Sequence, residues 1–163
     1  LIKRLSKIFN HSIDNIIELY SDYINDDNYG YLLSSIMTDL TFGSPVEELL
    51  SMKNNSYGYI FTPQSPLLNG ELGAFHASEL PYIFGVQNKL PYQKWSPDYR
   101  DKTAEVMQDA WVNFAKNGNP SSKNFEWKPF SHSSNYALIK DSIKNINSPF
   151  KERYKLINHA KNF

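Results

Sequence analysis

The chain has 163 residues, 40% of them hydrophobic, 15% aromatic and 21% charged. One domain's worth of chain with that much apolar content can bury a core, which excludes disordered and collagen-like structure. Seventeen basic residues balance seventeen acidic ones and no cysteine is present. The balance removes the clustered excess of Lys and Arg that a general nucleic-acid binder needs. The lack of thiols excludes a disulfide scaffold, a thiolate zinc site and a Cys nucleophile, and it favours a reducing, cytoplasmic compartment.

Leu1-Ile2-Lys3-Arg4-Leu5 reads as the middle of a helix, so the beginning of a larger protein is expected to be missing. Polar residues recur too often there for the apolar stretch of a signal peptide. No run approaches the ~18 apolar residues of a membrane span.

A helix is predicted from Ser12 to Ile24, with Ile13, Ile16, Ile17, Tyr20 and Ile24 on one stripe. Asp14, Glu18, Asp22 and Asp26 form an acidic row that reads as a solvated face. A second helix spans Tyr31 to Phe42 and stops at Gly43-Ser44-Pro45. Ser44 is placed as the N-cap, and Pro45 as the first residue, of a third helix ending near Lys53. Tyr57 to Thr62, aromatic and β-branched and closed by Pro63, is the best strand.

The stretch from Pro63 to Phe75 is long for a loop within a compact domain, and such loops are usually functional or disordered. It runs into His76. Ser78 is expected to cap a short helix that ends at Gly85. The longest helix opens at Ser96-Pro97 and closes at Asn117-Gly118, with Tyr99, Thr103, Val106, Met107, Ala110 and Phe114 on its apolar stripe. Tyr136 to Lys140 and Ser142 to Ile146 read as two short strands. A last helix starts at Ser148-Pro149 and carries a basic tail of Lys151, Arg153, Lys155 and Lys161.

Four histidines are present, His11, His76, His132 and His159, and none stands at metal-ligand spacing to another. His76 is set apart because it lies where a long loop meets a helix N-terminus. A helix N-terminus favours neutral imidazole, the form a general base requires. The alternative is a histidine that merely hydrogen-bonds the loop. No G-x-S-x-G nucleophile turn and no H-G-G-G run occurs in the chain. Asp39 and Glu79 are weak candidates to orient the imidazole. Trp95, Trp111 and Trp127 read as packing anchors.

Gly73-Ala74-Phe75-His76-Ala77-Ser78-Glu79-Leu80-Pro81 resembles the catalytic-histidine block of type-B carboxylesterases, the family of cholinesterases and bacterial para-nitrobenzyl esterases. Thr38-Asp39 through Phe42 and Pro45 is similar to that family's T-D-x-x-F-x-x-P segment. Trp111 to Pro120 is similar to W-x-x-F-A-K-x-G-x-P, and Trp127-Lys128-Pro129-Phe130 stands where W-P-x-Y is usual. The motifs follow in order along nearly the whole chain.

The resemblance implies an α/β fold: residues 1–163 as the C-terminal part of a single α/β-hydrolase domain, helix-rich with a few strands. It implies that His76 is the catalytic histidine of a Ser-His-Glu/Asp triad. The serine, the acid and the oxyanion glycines then belong to a missing N-terminal part of the same domain, and this fragment is inactive alone. Leu72 and Phe75 are candidates to wall the substrate pocket. The implied substrate is a small carboxylic ester, with no cofactor, no metal and no nucleic acid. Glu79 is read as a structural partner near the site, not as the triad acid. Two alternatives stand beside the enzyme: a catalytically dead cholinesterase-like binding or adhesion module, and the remnant of a broken reading frame.

Overall fold

The computed structural model describes residues 13–23, 29–97, 100–131 and 133–161. Leu1–Leu5, Ile24, Asp26, His11 and His132 lie outside them, as does the side chain of His159. Two compact units separate, one comprising residues up to Lys53 together with those from Ser148 on, the other Asn54–Asn147.

The first unit is helical. Helix α1 (Ile13–Leu19) is followed by a 3₁₀ turn, Ser21–Tyr23, so the regular helix is shorter than predicted. Asp14, Glu18 and Asp22 are solvent-exposed, and Tyr20 is fully buried.

Helix α2 (Tyr29–Thr38) does not stop at Gly43-Ser44-Pro45. It passes through a π-helical segment, Asp39–Gly43, directly into α3 (Ser44–Ser51). The predicted Ser44 cap is therefore incorrect. Gly43 and Ser44 both keep right-handed helical angles, and the Ser44 N–H donates back to the Asp39 carbonyl. The widened register absorbs the N–H that Pro45 lacks. The Ser44 hydroxyl instead donates to Asn158 Oδ1 at 2.6 Å.

Helix α6 (Lys151–Lys161) completes this unit, with the Phe150 N–H donating to the Ser148 hydroxyl before its first turn. Tyr20, Leu32, Ile36, Tyr154, Leu156 and Ile157 form its core. Each fully buried aliphatic side chain there contributes about 1.5–3 kcal/mol. Arg153, expected in a basic tail, is buried instead.

The second unit is a three-stranded sheet covered by a helix. Strand β1 (Gly58–Phe61) pairs in parallel with β2 (Asn135–Ile139), and β2 pairs antiparallel with β3 (Ile143–Asn147). A turn from Lys140 N to Ser142 O, 2.9 Å, joins the two later strands. Between β1 and the hairpin lie the one-turn helix α4 (Leu80–Ile83) and the long helix α5 (Arg100–Asn117), which ends at Gly118 with φ +69°. The buried face of α5 is Thr103, Ala104, Met107 and Ala110, while Phe114 of the predicted stripe is exposed. These residues pack with Tyr82, Trp127, Ala137 and Ile139. Trp127 donates its indole N–H to the Gly58 carbonyl at 3.3 Å, tying the later loop to β1. Among the described residues, no helix is long and apolar enough to cross a membrane.

Candidate active site

β1 delivers the chain to the candidate site. Its pairing continues one residue past the strand, where the Thr62 N–H and hydroxyl both donate to the Ile139 carbonyl at 2.9 Å. Pro63 is buried and stops the ladder.

The loop that follows is tied to itself. Ser65 N donates to Gly73 O at 2.9 Å, closing its neck, and Gly73 N donates to Gly70 O at 3.0 Å. Ser65 is buried and its hydroxyl accepts from Leu67 N. Within the 3₁₀ segment Leu67–Gly70, Leu68 and Asn69 are both left-handed, at φ 51° and 56°. That conformation costs a non-glycine residue about 1–2 kcal/mol. The loop is thus a closed, strained excursion that ends beside His76.

His76 stands on a tight turn. Ser78 N donates to Phe75 O at 3.0 Å, which makes Phe75-His76-Ala77-Ser78 a four-residue β-turn. His76 takes the second place and Ala77 the third, with φ +67° at Ala77. A left-handed third residue is the mark of a type II turn, which favours glycine there. Ala77 holds the conformation without glycine's freedom. The turn projects His76 outward, and its side chain is exposed.

Ser78 does not cap a helix. Helix α4 begins at Leu80 after Glu79, and no side-chain cap bond is made. Ser78 is buried, and its hydroxyl has no hydrogen-bond partner.

Phe75 is half-buried, and its ring meets Trp95 edge to face with centroids 5.4 Å apart. Leu72 is exposed one residue past Glu71 in the loop. Glu79 lies near Tyr59, whose phenol is pushed up to about 12 by burial and then by that carboxylate. Asp39, the other weak candidate for orienting His76, is committed elsewhere: its carboxylate accepts from Tyr20 and pairs with Arg153 within the helical unit. The left-handed Ala77, the unpartnered Ser78 hydroxyl and the Phe75–Trp95 contact were all missed by sequence reasoning. Ala and Ser have no distinctive pattern there, and a contact between side chains twenty positions apart has no periodicity.

An apolar cavity of about 180 Å³ lies in the same unit, lined by Tyr57, Tyr59, Trp111, Phe114 and Trp127 among others, with His76 not among its lining residues. Among the described residues, no group of three or more His, Cys, Asp or Glu side chains is placed to hold a metal ion.

Comparison with known proteins places this geometry. The model of the carboxylesterase family matches residues 5–157. A para-nitrobenzyl esterase of Bacillus subtilis (strain 168) is 32% identical over 126 residues, covering 72% of this chain and 25% of the relative. A bile salt-activated lipase of Rattus norvegicus is 28% identical over 148 residues, covering 81% and 23%. Among solved structures, a Geobacillus stearothermophilus carboxylesterase superposes with a TM-score of 0.74 at 20% identity, over 96% of this chain and 34% of that one. A PNB esterase structure gives 0.66 at 26% identity, over 96% and 32%.

The chain spans about a quarter of the length of the curated relatives and about a third of these structures. Its helices and small mixed sheet are a helix-rich part of an α/β-hydrolase fold. On the match across nearly its whole length, the chain belongs to the carboxylesterase family.

Proposed function

We propose that this chain is the C-terminal part of a serine carboxylic ester hydrolase and supplies its catalytic histidine, His76. Family membership supports ester hydrolysis as the chemistry. The observation that carries the residue assignment is the placement of His76, exposed at the outer corner of a hydrogen-bonded turn.

In the proposed reaction, His76 takes the proton of a serine hydroxyl as that oxygen attacks the ester carbonyl. It then returns the proton to the leaving alkoxide. A carboxylate on the other ring nitrogen holds the tautomer and stabilises the imidazolium. No serine here lies on a G-x-S-x-G turn, and Asp39 is engaged by Arg153 and Tyr20. Nucleophile, carboxylate and oxyanion donors therefore come from the remainder of the domain, and the chain alone turns over no ester. Leu72, exposed beside the turn, walls the substrate, and Phe75 contributes its remaining open edge. The substrate class is small carboxylic esters, and the chemistry requires no cofactor.

The test has two arms. Incubated alone with p-nitrophenyl acetate and a fluorophosphonate probe, the chain gives no turnover and no labelled serine. Joined to the remainder of its domain, it hydrolyses the ester, and His76→Ala lowers kcat by about 10³-fold or more. A labelled serine in the isolated chain, or substantial kcat left in the His76→Ala protein, overturns the proposal.

A further inference from the structure

The aromatic cavity beside β1 is built by local geometry. Tyr57 and Tyr59, two positions apart on the run into β1, project to the same face of the sheet. Ala110, Trp111 and Phe114 fall on one side of α5, at i, i+1 and i+4. Trp127, from the segment after α5, adds a fifth ring to a space of about 180 Å³.

These walls are set without a ligand. Tyr59 meets Trp111 edge to face at 5.1 Å, and Tyr57 meets Phe114 in the same way at 5.9 Å. Trp111 also meets Trp127 at 6.0 Å. Trp127 is buried, its indole N–H engaged by the Gly58 carbonyl and its backbone N–H by the Ser121 hydroxyl at 3.0 Å. Ala110 contributes only a methyl group, where a longer side chain would extend into the space.

Size and chemistry select the occupant. An apolar cavity of ~150 Å³ stays dry and takes benzene, whereas pockets for drug-sized ligands start near ~300 Å³. This one fits a single ring. No charged side chain lines it, so an ionised group would lose its hydration there without compensation. Ring walls offer a flat aromatic occupant edge-to-face contacts that a saturated ring cannot make. Tyr59 and Phe114 are the exposed members of the lining, so the space opens to solvent on their side.

We propose that this cavity is a binding site for one small, uncharged aromatic ring of benzene to toluene size. The turn that carries His76 contributes no residue to its lining. The site is therefore separate from the proposed catalytic one and does not rest on the assignment of His76.

The experiment titrates the full chain with toluene, read by ligand-observed saturation-transfer NMR, with folding checked by circular dichroism. Wild type binds toluene saturably, with Kd on the order of 1 mM. Phenol displaces toluene at about 2- to 10-fold lower concentration than cyclohexanol, which carries the same hydroxyl on a saturated ring. Benzoate does not displace it. His76→Ala binds toluene as wild type does, and so does Phe84→Ala, which removes an exposed ring outside the cavity. Ala110→Leu fills the space and abolishes binding.

Non-saturable uptake by wild type overturns the proposal, as does equal displacement by cyclohexanol or benzoate. Wild-type binding in Ala110→Leu, or lost binding in His76→Ala or Phe84→Ala, overturns it too. If Ala110→Leu does not fold, Phe114→Ala decides: it weakens toluene binding about 2- to 10-fold, and unchanged affinity overturns the proposal. Joined to the remainder of the proposed longer domain, the chain keeps the site. Toluene binding lost there would mean that the cavity is a socket for another segment of the protein, which also overturns it.

Discussion

Arg153 Nε lies 3.1 Å from Asp39 Oδ2, with both side chains less than a tenth exposed. The Tyr20 hydroxyl donates to the same carboxylate oxygen at 2.9 Å. The guanidinium also sits over two rings, 4.9 Å from the centroid of Tyr20 and 4.4 Å from that of Phe150. These four groups tie α6 to the π-helical segment. A buried pair is weakly stabilising when intact and costly when halved. Arg153→Met keeps an apolar stem but strands the carboxylate, and it is expected to lower unfolding free energy by about 3 kcal/mol at pH 7. Urea denaturation checks it; a loss within the error of the fit would mean that solvent reaches Asp39.

The same cluster sets a pH dependence. Burial pushes the Asp39 carboxyl up, against the Arg153 charge and the Tyr20 hydrogen bond, which pull it down. A carboxyl raised in the folded state keeps its proton to higher pH than in the unfolded chain, where it titrates near ~3.9. Its contribution to stability is present below that value and is lost as pH rises through the folded-state titration. The deficit of Arg153→Met should therefore be largest near neutrality and shrink towards pH 4, as protonation discharges the stranded group. Melting curves across that range measure it, and a deficit that grows with acidity would mean that Arg153 does not favour the charged form of Asp39.

Parts of this architecture are visible in the sequence for physical reasons. Helix α5 combines a repeating apolar face with Gly118 at its end, local signals that agree. The β2–β3 hairpin shows as two short strand-forming runs, Asn135–Ile139 and Ile143–Asn147, over a short connection. The π-helical passage does not show, because Gly43-Ser44-Pro45 carries the local grammar of a stop. What overrides it is tertiary: Gly43 lies against the Tyr154 ring, and Asp39 faces a partner from the far end of the chain. His76 is legible as a residue, through the block around it. The backbone of the turn that carries it is not legible, since Ala77 adopts a conformation favoured by glycine.

Gly43 offers a test of that override. Its backbone is helical, at φ −58°, so alanine there would gain about 1 kcal/mol of helix propensity in an isolated helix. A methyl group at Gly43 collides with the hydroxyl end of Tyr154. That ring is buried and packed against Phe150 at 5.8 Å, which leaves it little room to swing. Overpacking of this kind costs about 1–3 kcal/mol. Gly43→Ala is therefore expected to lower the thermal midpoint, whereas a rise would mean that Tyr154 yields freely.

At Ala77 the expected sign is reversed. Glycine at φ +67° removes a steric penalty of about 1–2 kcal/mol, partly offset by its greater freedom in the unfolded chain. Ala77→Gly should raise unfolding free energy by up to about 1 kcal/mol, and Ala77→Val should lower it, because a β-branched residue fits the left-handed region worse still. Paired urea titrations decide, and equal midpoints for all three proteins would mean that the turn is not held as described.

Ser78 gives the sharpest contrast between a polar group that is used and one that is not. It is 6% exposed, and its hydroxyl has no hydrogen-bond partner. An unsatisfied buried hydroxyl costs about 1–3 kcal/mol, and its removal recovers part of that. Ser44 is also buried, but its hydroxyl donates to Asn158 at 2.6 Å. In this chain Ser78→Ala is therefore expected to gain about 1 kcal/mol and Ser44→Ala to lose about as much. On the proposed assignment to a longer domain, the Ser78 hydroxyl can meet a partner in the rest of it, and the Ser78→Ala gain should then vanish or reverse. Unfolding measured for both variants in both settings separates the two cases, and a destabilised Ser78→Ala in the isolated chain would mean that the hydroxyl is already bonded there.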